Sequence, residues 1–136
     1  MAENRAALIV HSGAYDRVMY ALSVATVALA MGMEVHMLFT YDGLRRLVKG
    51  HTDDLGEETG PEMQKVIARR LARGDMQPLS QGLRDAKRMG LKVYACVAAM
   101  SNLSITRDEL VPEVDEPAGL AMFLDLAKNA AINYYI

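Results

Sequence analysis

The sequence predicts an α/β protein built on a mostly parallel sheet of about five strands. Three observations carry that expectation. Short strand-like runs, Ala6 to His11, Glu34 to Thr40, Leu91 to Ala98 and Ile132 to Ile136, recur along the 136 residues. Stretches with helical apolar spacing alternate with them. The connections are long enough for crossovers, which parallel strands require and hairpins do not.

The elements follow in order. Ala6 to His11 is a first strand opening into the loop His11-Ser12-Gly13-Ala14. Tyr15 to Met31 is a first helix, with Val18, Leu22, Ala25 and Leu29 along one stripe and Gly32 placed to cap it. Glu34 to Thr40 is a second strand, followed by the turn Tyr41-Asp42-Gly43 and a short amphipathic stretch from Leu44 to Lys49. The run from Gly50 to Pro61 carries Asp53, Asp54, Glu57 and Glu58 with almost nothing apolar, so it reads as a surface loop or lid.

Pro61 starts a helix to about Arg73, because proline is preorganised for a first helical turn. Another helix runs from Pro78 to Met89 and stops at Gly90, and Leu91 to Ala98 is the third strong strand. Asn102 to Leu110 is expected as a short helix or turn, with Thr106 capping a turn over Glu109, and Leu110 to Val114 as a short fourth strand. The last helix is expected from Glu116 or Pro117 to about Asn129, before the closing strand at Ile132. One domain covering 1–136 follows, a flavodoxin-like three-layer sandwich with helices on both faces of the sheet.

Composition narrows the function classes. The chain has 15 Lys and Arg against 17 Asp and Glu, a formal charge of −2, which argues against a nucleic-acid partner. Its single cysteine forms no internal disulfide, and no basic, apolar and small-residue leader pattern opens the sequence, so a cytoplasmic setting is expected. Val18 to Met33 is strongly apolar but shorter than the roughly 20 residues of a membrane span. A helix apolar almost all round instead suggests subunit contacts.

Cys96 is the most informative residue. It lies where the third strand gives way to a helix, and in a doubly wound sheet the ligand crevice lies beyond the carboxyl ends of the strands. With a strand order of 2-1-3-4-5, His11 and Cys96 would end side by side. An imidazolium or a helix amino terminus there would lower the thiol pKa from about 8.5 toward neutrality and expose a thiolate. Ser12, Gly13, Tyr41, Ala98 and Met100 would line the same crevice. The alternative is a packed, inert thiol and a strand-end histidine bonded to backbone.

A lone thiol excludes a dithiol cycle within one chain. It leaves persulfide chemistry open.

Along much of its length the chain resembles the DsrE/DsrF-like sulfur-relay family, in particular its short single-domain branch. The residues that carry the likeness are Ala7-Leu8-Ile9-Val10-His11-Ser12-Gly13, Met31-Gly32-Met33-Glu34-Val35-His36-Met37-Leu38-Phe39-Thr40-Tyr41-Asp42-Gly43-Leu44, Leu83 to Gly90, Val93-Tyr94-Ala95-Cys96, Ile105 to Leu110, and Gly119 to Leu124. The resemblance implies a flavodoxin-like fold, assembly into trimers or hexamers, relay-protein partners, and a sulfur-carrying cysteine at Cys96. Such a protein is a sulfur carrier or sulfurtransferase and needs no cofactor. The segment after the cysteine, Val97 to Ile105, lacks the acidic residue and the glycine typical of that branch.

Other features have simpler readings. The ten methionines fall mostly where a core is expected and serve as flexible filling. His11, His36 and His51 have no ligand spacing, so no metal site is expected. Lys65 to Lys92 carries eight basic residues against Asp75 and Asp85, whereas Ser101 to Lys128 carries six acidic residues against Arg107 and Lys128. Solvated helix faces explain both, and complementary patches for subunits or an acidic partner are the sharper alternative. A non-catalytic oligomeric protein that binds a small ligand in the crevice is the second function class.

Overall fold

The computed structural model describes residues 4–136. Five parallel strands form one sheet: β1 (Arg5–Val10), β2 (Glu34–Phe39), β3 (Lys92–Cys96), β4 (Glu116–Ala118) and β5 (Ile132–Tyr135), in the order β4-β3-β2-β1-β5. The helices are α1 (Tyr15–Ala30), α2 (Tyr41–Arg45), α3 (Pro61–Arg73), α4 (Leu79–Arg88), α5 (Val97–Asn102) and α6 (Leu120–Ala127). This is the flavodoxin-like α/β sandwich the sequence predicts. Among the described residues no helix is long and apolar enough to cross a membrane.

The strand order corrects one expectation. β1 pairs with β2 and β5, and β3 pairs with β2 and β4, so β1 and β3 are not neighbours. The crossovers explain why. α4 packs beside α1, where the Tyr15 hydroxyl accepts a hydrogen bond from the Leu79 amide at 3.2 Å. Two successive right-handed crossovers on one face carry the chain onward from β1 to β2 to β3. Only the connection to β5 reverses direction, so the topological switch lies between β1 and β5.

Strand alternation sorts the side chains by face. Leu8, Val10, Met37, Phe39, Val93 and Ala95 share one face and are buried. α1 covers this face, as the neighbouring rings of Tyr20 and Tyr134 record. His36, Leu38, Tyr94 and Cys96 share the other face, where Phe123 of α6 meets the Tyr94 ring edge-on. There His36 donates or accepts through Nδ1 to the Tyr94 hydroxyl at 2.7 Å, and its Nε2 meets Glu34 Oε2 at 2.9 Å. Glu34 also accepts from Arg5, and these two hydrogen bonds hold its carboxyl below the usual range, whereas burial raises the Tyr94 phenol.

Three local expectations change. The helix after Cys96 begins at once, at Val97, rather than at Asn102, which shortens β3 to end at Cys96. Leu110 to Val114 is no strand: Leu110 makes only an isolated bridge with Val48. The fourth strand is Glu116–Ala118, where the last helix was expected to open, because Pro117 lies extended beside Ala95 and Gly119 caps α6 instead. The turn over Glu109 has the expected capping box, with the Thr106 amide donating to Glu109 Oε1 at 2.9 Å.

Candidate functional site

The carboxyl ends of β1, β2 and β3 place the sequence-predicted residues along one edge of the sheet. Cys96 is the last residue of β3 and the residue that caps α5. It is 7% exposed and free, between Ala118 of β4 and the end of β2. Val97 and Ala98, the first residues of α5, are exposed, Ala99 is buried and Met100 is half-buried.

His11 leaves the end of β1, with β2 between it and Cys96. Two strand spacings set their backbones roughly 10 Å apart, so the expected side-by-side pair does not form. The His11 ring instead faces Tyr41, with centroids 5.5 Å apart and planes inclined by 35°. Tyr41 opens α2 directly after β2, and its hydroxyl accepts a hydrogen bond from Asn102 Nδ2 at 2.9 Å. Asn102 is the last residue of α5. Tyr41 therefore joins the His11 end of the edge to the helix that Cys96 begins.

The backbone at Tyr41 is unusual. Its φ of 48° lies in the left-handed region, which a non-glycine residue enters at a cost. Its surroundings impose it. The Thr40 amide donates to the Val10 carbonyl and the Gly43 amide to the His11 carbonyl, both at 3.0 Å, so α2 is pressed onto the end of β1. A Cβ at Gly43 would overlap the Val10 carbonyl, which explains the glycine.

Arg46 organises the other side of the edge. It is 4% exposed, lies over the Tyr15 ring, and donates from Nε to the Gly13 carbonyl at 2.9 Å. Its remaining nitrogens donate to the carbonyls of Thr52, Asp54 and Leu55. Burial lowers the guanidinium pKa, and these carbonyl acceptors satisfy its hydrogen-bond donors. The stretch 50–60 has no helix or strand, yet it is tied down here. The Gly13 amide donates to Glu58 at 2.6 Å, the Tyr15 amide donates to Thr59 Oγ1 at 2.8 Å, and Asp53 accepts from the Ser80 amide.

A cavity of about 810 Å³ opens between this loop, α2 and the segment after α5, with Gly13, Asp42, Arg46, Glu58, Ser104 and Glu109 in its wall. Cys96 and His11 do not line it. Four of its carboxylates are engaged: Asp42 with Arg45, Asp54 with His51, Glu58 with the Gly13 amide and Glu109 with the Thr106 amide. Among the described residues no three His, Cys, Asp or Glu side chains converge as metal ligands.

Of the expected crevice residues, Gly13 reaches the cavity, and Ser12 is buried with its hydroxyl accepting from the Ala14 amide at 3.1 Å. Tyr41 stands between the two regions. Sequence reasoning missed Arg46 and Asn102. Spacing gave no signal for Arg46, since Arg45 stands equally between Leu44 and Leu47 and is exposed.

A doubly wound sheet with a single buried cysteine at its carboxyl edge defines the class. The chain belongs to the DsrE/DsrF-like family, whose sequence model matches residues 4–133 and which is associated with sulfur metabolism. YrkE, an uncharacterised protein of Bacillus subtilis (strain 168), is 26% identical over 158 aligned positions, covering 97% of this chain and 96% of that protein. The fold is similar to the crystal structure of the ychN protein from E. coli, with a TM-score of 0.64, 13% identity, and 97% and 99% of the two chains covered. It is also similar to MTH1491 from Methanobacterium thermoautotrophicum, with a TM-score of 0.58, 12% identity, and 97% and 98% covered.

Proposed function

We propose that the protein carries sulfane sulfur as a persulfide on Cys96 and hands it to a thiol of a partner protein. The observation that carries this reading is the single free cysteine at the end of β3 in a member of this family. The Cys96 thiolate attacks the outer sulfur of a persulfide donor. A bond forms between Cys96 Sγ and that sulfur, the donor's S–S bond breaks, and the donor leaves as a thiolate. An acceptor thiolate then attacks the outer sulfur, and Cys96 departs as thiolate. Neither exchange changes the net oxidation state, so the cycle needs no redox cofactor.

In this reading His11 and Tyr41 support the site from the β1 and β2 ends, and Ala98 and Met100 belong to the helix that follows the thiol. Exposed apolar side chains on α1 (Tyr20, Val27), at its cap Met31 and on α6 (Leu120, Met122, Leu124) support a homo-oligomer, and the family reading adds a trimer or hexamer in the cytoplasm. Relay proteins are the other partners. Cyanolysis after loading with a persulfide donor tests the proposal, because cyanide removes outer sulfur as thiocyanate. One thiocyanate per chain is expected, with none from Cys96→Ser.

The cavity beside the site favours a second reading, in which the protein binds a small ligand and Cys96 is packing. Its volume falls in the range of ligand pockets. Absence of thiocyanate from the wild-type chain with several persulfide donors would leave this reading standing.

A further inference from the structure

We propose that α1 pairs with α1 of a second copy of this chain, antiparallel about a two-fold axis, so that each Met31 seats in a cleft beside Tyr20 of the other copy. The inference rests on the homo-oligomer read above and adds its surface and symmetry.

The two flanks of α1 differ. Toward α4, the Tyr15 hydroxyl accepts from the Leu79 amide and Leu22 lies against Gly82. On the flank where Tyr20 meets Tyr134 of the edge strand β5, the residues Tyr20, Val24, Val27 and the cap Met31 follow at steps of four, three and four, the spacing of a helix-pairing seam. Tyr20, Val27 and Met31 are 57%, 59% and 70% exposed, so the rest of the chain leaves the seam uncovered. No charged residue occurs from Val18 to Met33.

A second copy fits this surface. A cleft of about 470 Å³ lies at the amino-terminal end of the seam, with Arg17, Tyr20 and Tyr134 in its wall. Met31 stands at the other end, about 16 Å further along the helix axis. A two-fold axis through the middle of the seam therefore brings a methionine over a tyrosine-lined cleft twice, with Val24 and Val27 meeting across the axis, the self-complementary arrangement such symmetry requires. Thioether sulfur against aromatic rings is a favourable contact.

Charge and area agree with this pairing. Antiparallel packing sets the exposed Arg17 beside the carboxyl end of the other copy's α1, the negative end of its dipole, and the last turn of α1 holds no basic residue of its own. Asp16, in the same cleft wall, belongs to the first turn of its own helix, where a carboxylate is favoured. With Ser23, Val24 and Ala30 the seam offers on the order of 500 Å² per copy, so the pair covers about 1,000 Å², the size at which a specific interface holds. The apolar side chains of α6 belong to the other face of the sheet and form a separate surface. A two-fold contact needs an even number of copies, so of a trimer and a hexamer only the hexamer contains it.

Light-scattering mass on the full chain tests the pairing. The wild-type protein is expected at an even multiple of 14.9 kDa. Val27→Glu and Met31→Glu, both at exposed positions, are each expected to halve that mass with an unchanged circular dichroism spectrum. Leu124→Glu on α6 is expected to leave an even multiple. In a Cys96→Ser background, Tyr20→Cys combined with Met31→Cys and oxidised with diamide is expected to give a covalent dimer and nothing larger, because the two thiols of one chain are too far apart to bridge.

An oligomer whose mass neither Val27→Glu nor Met31→Glu lowers would keep the homo-oligomer and overturn the α1 contact. Absence of the covalent dimer would overturn it too, and a ladder of larger cross-linked species would overturn its two-fold symmetry. A wild-type chain that is monomeric at every concentration would overturn both the contact and the homo-oligomer.

Discussion

His11 faces Tyr41 across 5.5 Å, ring centroid to ring centroid, and does not face Cys96. With β2 between them, the backbones of His11 and Cys96 are roughly 10 Å apart, about one screening length, so a direct charge effect of the histidine on the thiol is weak. His11→Ala is therefore expected to leave the rate of Cys96 alkylation by iodoacetamide within about twofold of the wild-type chain. If His11 acted by its charge on the thiolate, the same substitution would slow alkylation at neutral pH. A marked slowing would contradict the separation of the two residues.

The left-handed backbone at Tyr41 makes a prediction independent of chemistry. In a helix alanine is normally more stabilising than glycine. At a φ of 48° the order reverses, because glycine adopts that conformation without strain. Tyr41→Gly should melt about 3 °C or more above Tyr41→Ala. Both variants lose the ring equally, so the comparison isolates the backbone. The usual order, with alanine the more stable, would show that Tyr41 is not left-handed in solution.

Arg46 should be the costliest polar residue to replace near the site. Arg46→Met removes the donor from the carbonyls of Gly13, Thr52 and Asp54 and leaves Leu55 with Thr59 Oγ1. A loss of about 3 kcal/mol or more in unfolding free energy is expected from urea denaturation. Arg46→Lys should recover only part of it, since an ammonium cannot reach four acceptors in a plane. Limited proteolysis should then cut within 50–60 first.

Asp115 sets an acid limb of stability. Its carboxylate accepts from Lys87 Nζ at 2.6 Å and from the Val93 amide at 2.7 Å, pinning the approach to β4 against β3. Burial alone would raise its pKa, but these hydrogen bonds outweigh burial and hold it below the ordinary value. The unfolded chain therefore binds the proton first. The stabilisation is fully present above an unfolded aspartate value of about 4 and fades as pH falls through the lower folded value. Asp115→Asn should lower the melting temperature at pH 7 and flatten its decline below about pH 4. A parallel acid decline in the variant would remove Asp115 as its cause.

Much of the architecture was readable from periodicity. α3 runs from Pro61 to Arg73 as expected, because a proline start and the left-handed glycine at Gly74 fix both ends. α1 begins at the expected Tyr15, and the alternation of strands and helices implied the parallel sheet. Strand order was not readable, since it depends on α4 packing beside α1, a contact between residues far apart in sequence.

The site was legible in part. Cys96 stood out as a lone thiol at a strand end, and its position there is a local property of the chain. Its neighbours depend on topology, so His11 was paired with the wrong partner while Tyr41 and Asn102 lay 61 positions apart. A helix after the Cys96 strand was expected but placed too late, because Val97, Ala98 and Ala99 continue an apolar run that reads equally well as strand. Arg46 gave no signal, because four carbonyl partners in two loops leave no pattern in side-chain sequence.

Intact mass after incubation with a persulfide donor tests sulfur carriage by Cys96 most directly. The wild-type chain should gain about 32 Da, one sulfur atom, on the peptide containing Cys96 and lose it on treatment with dithiothreitol. Cys96→Ser should gain nothing. An unchanged wild-type mass with every donor, or the same gain in Cys96→Ser, would contradict the account.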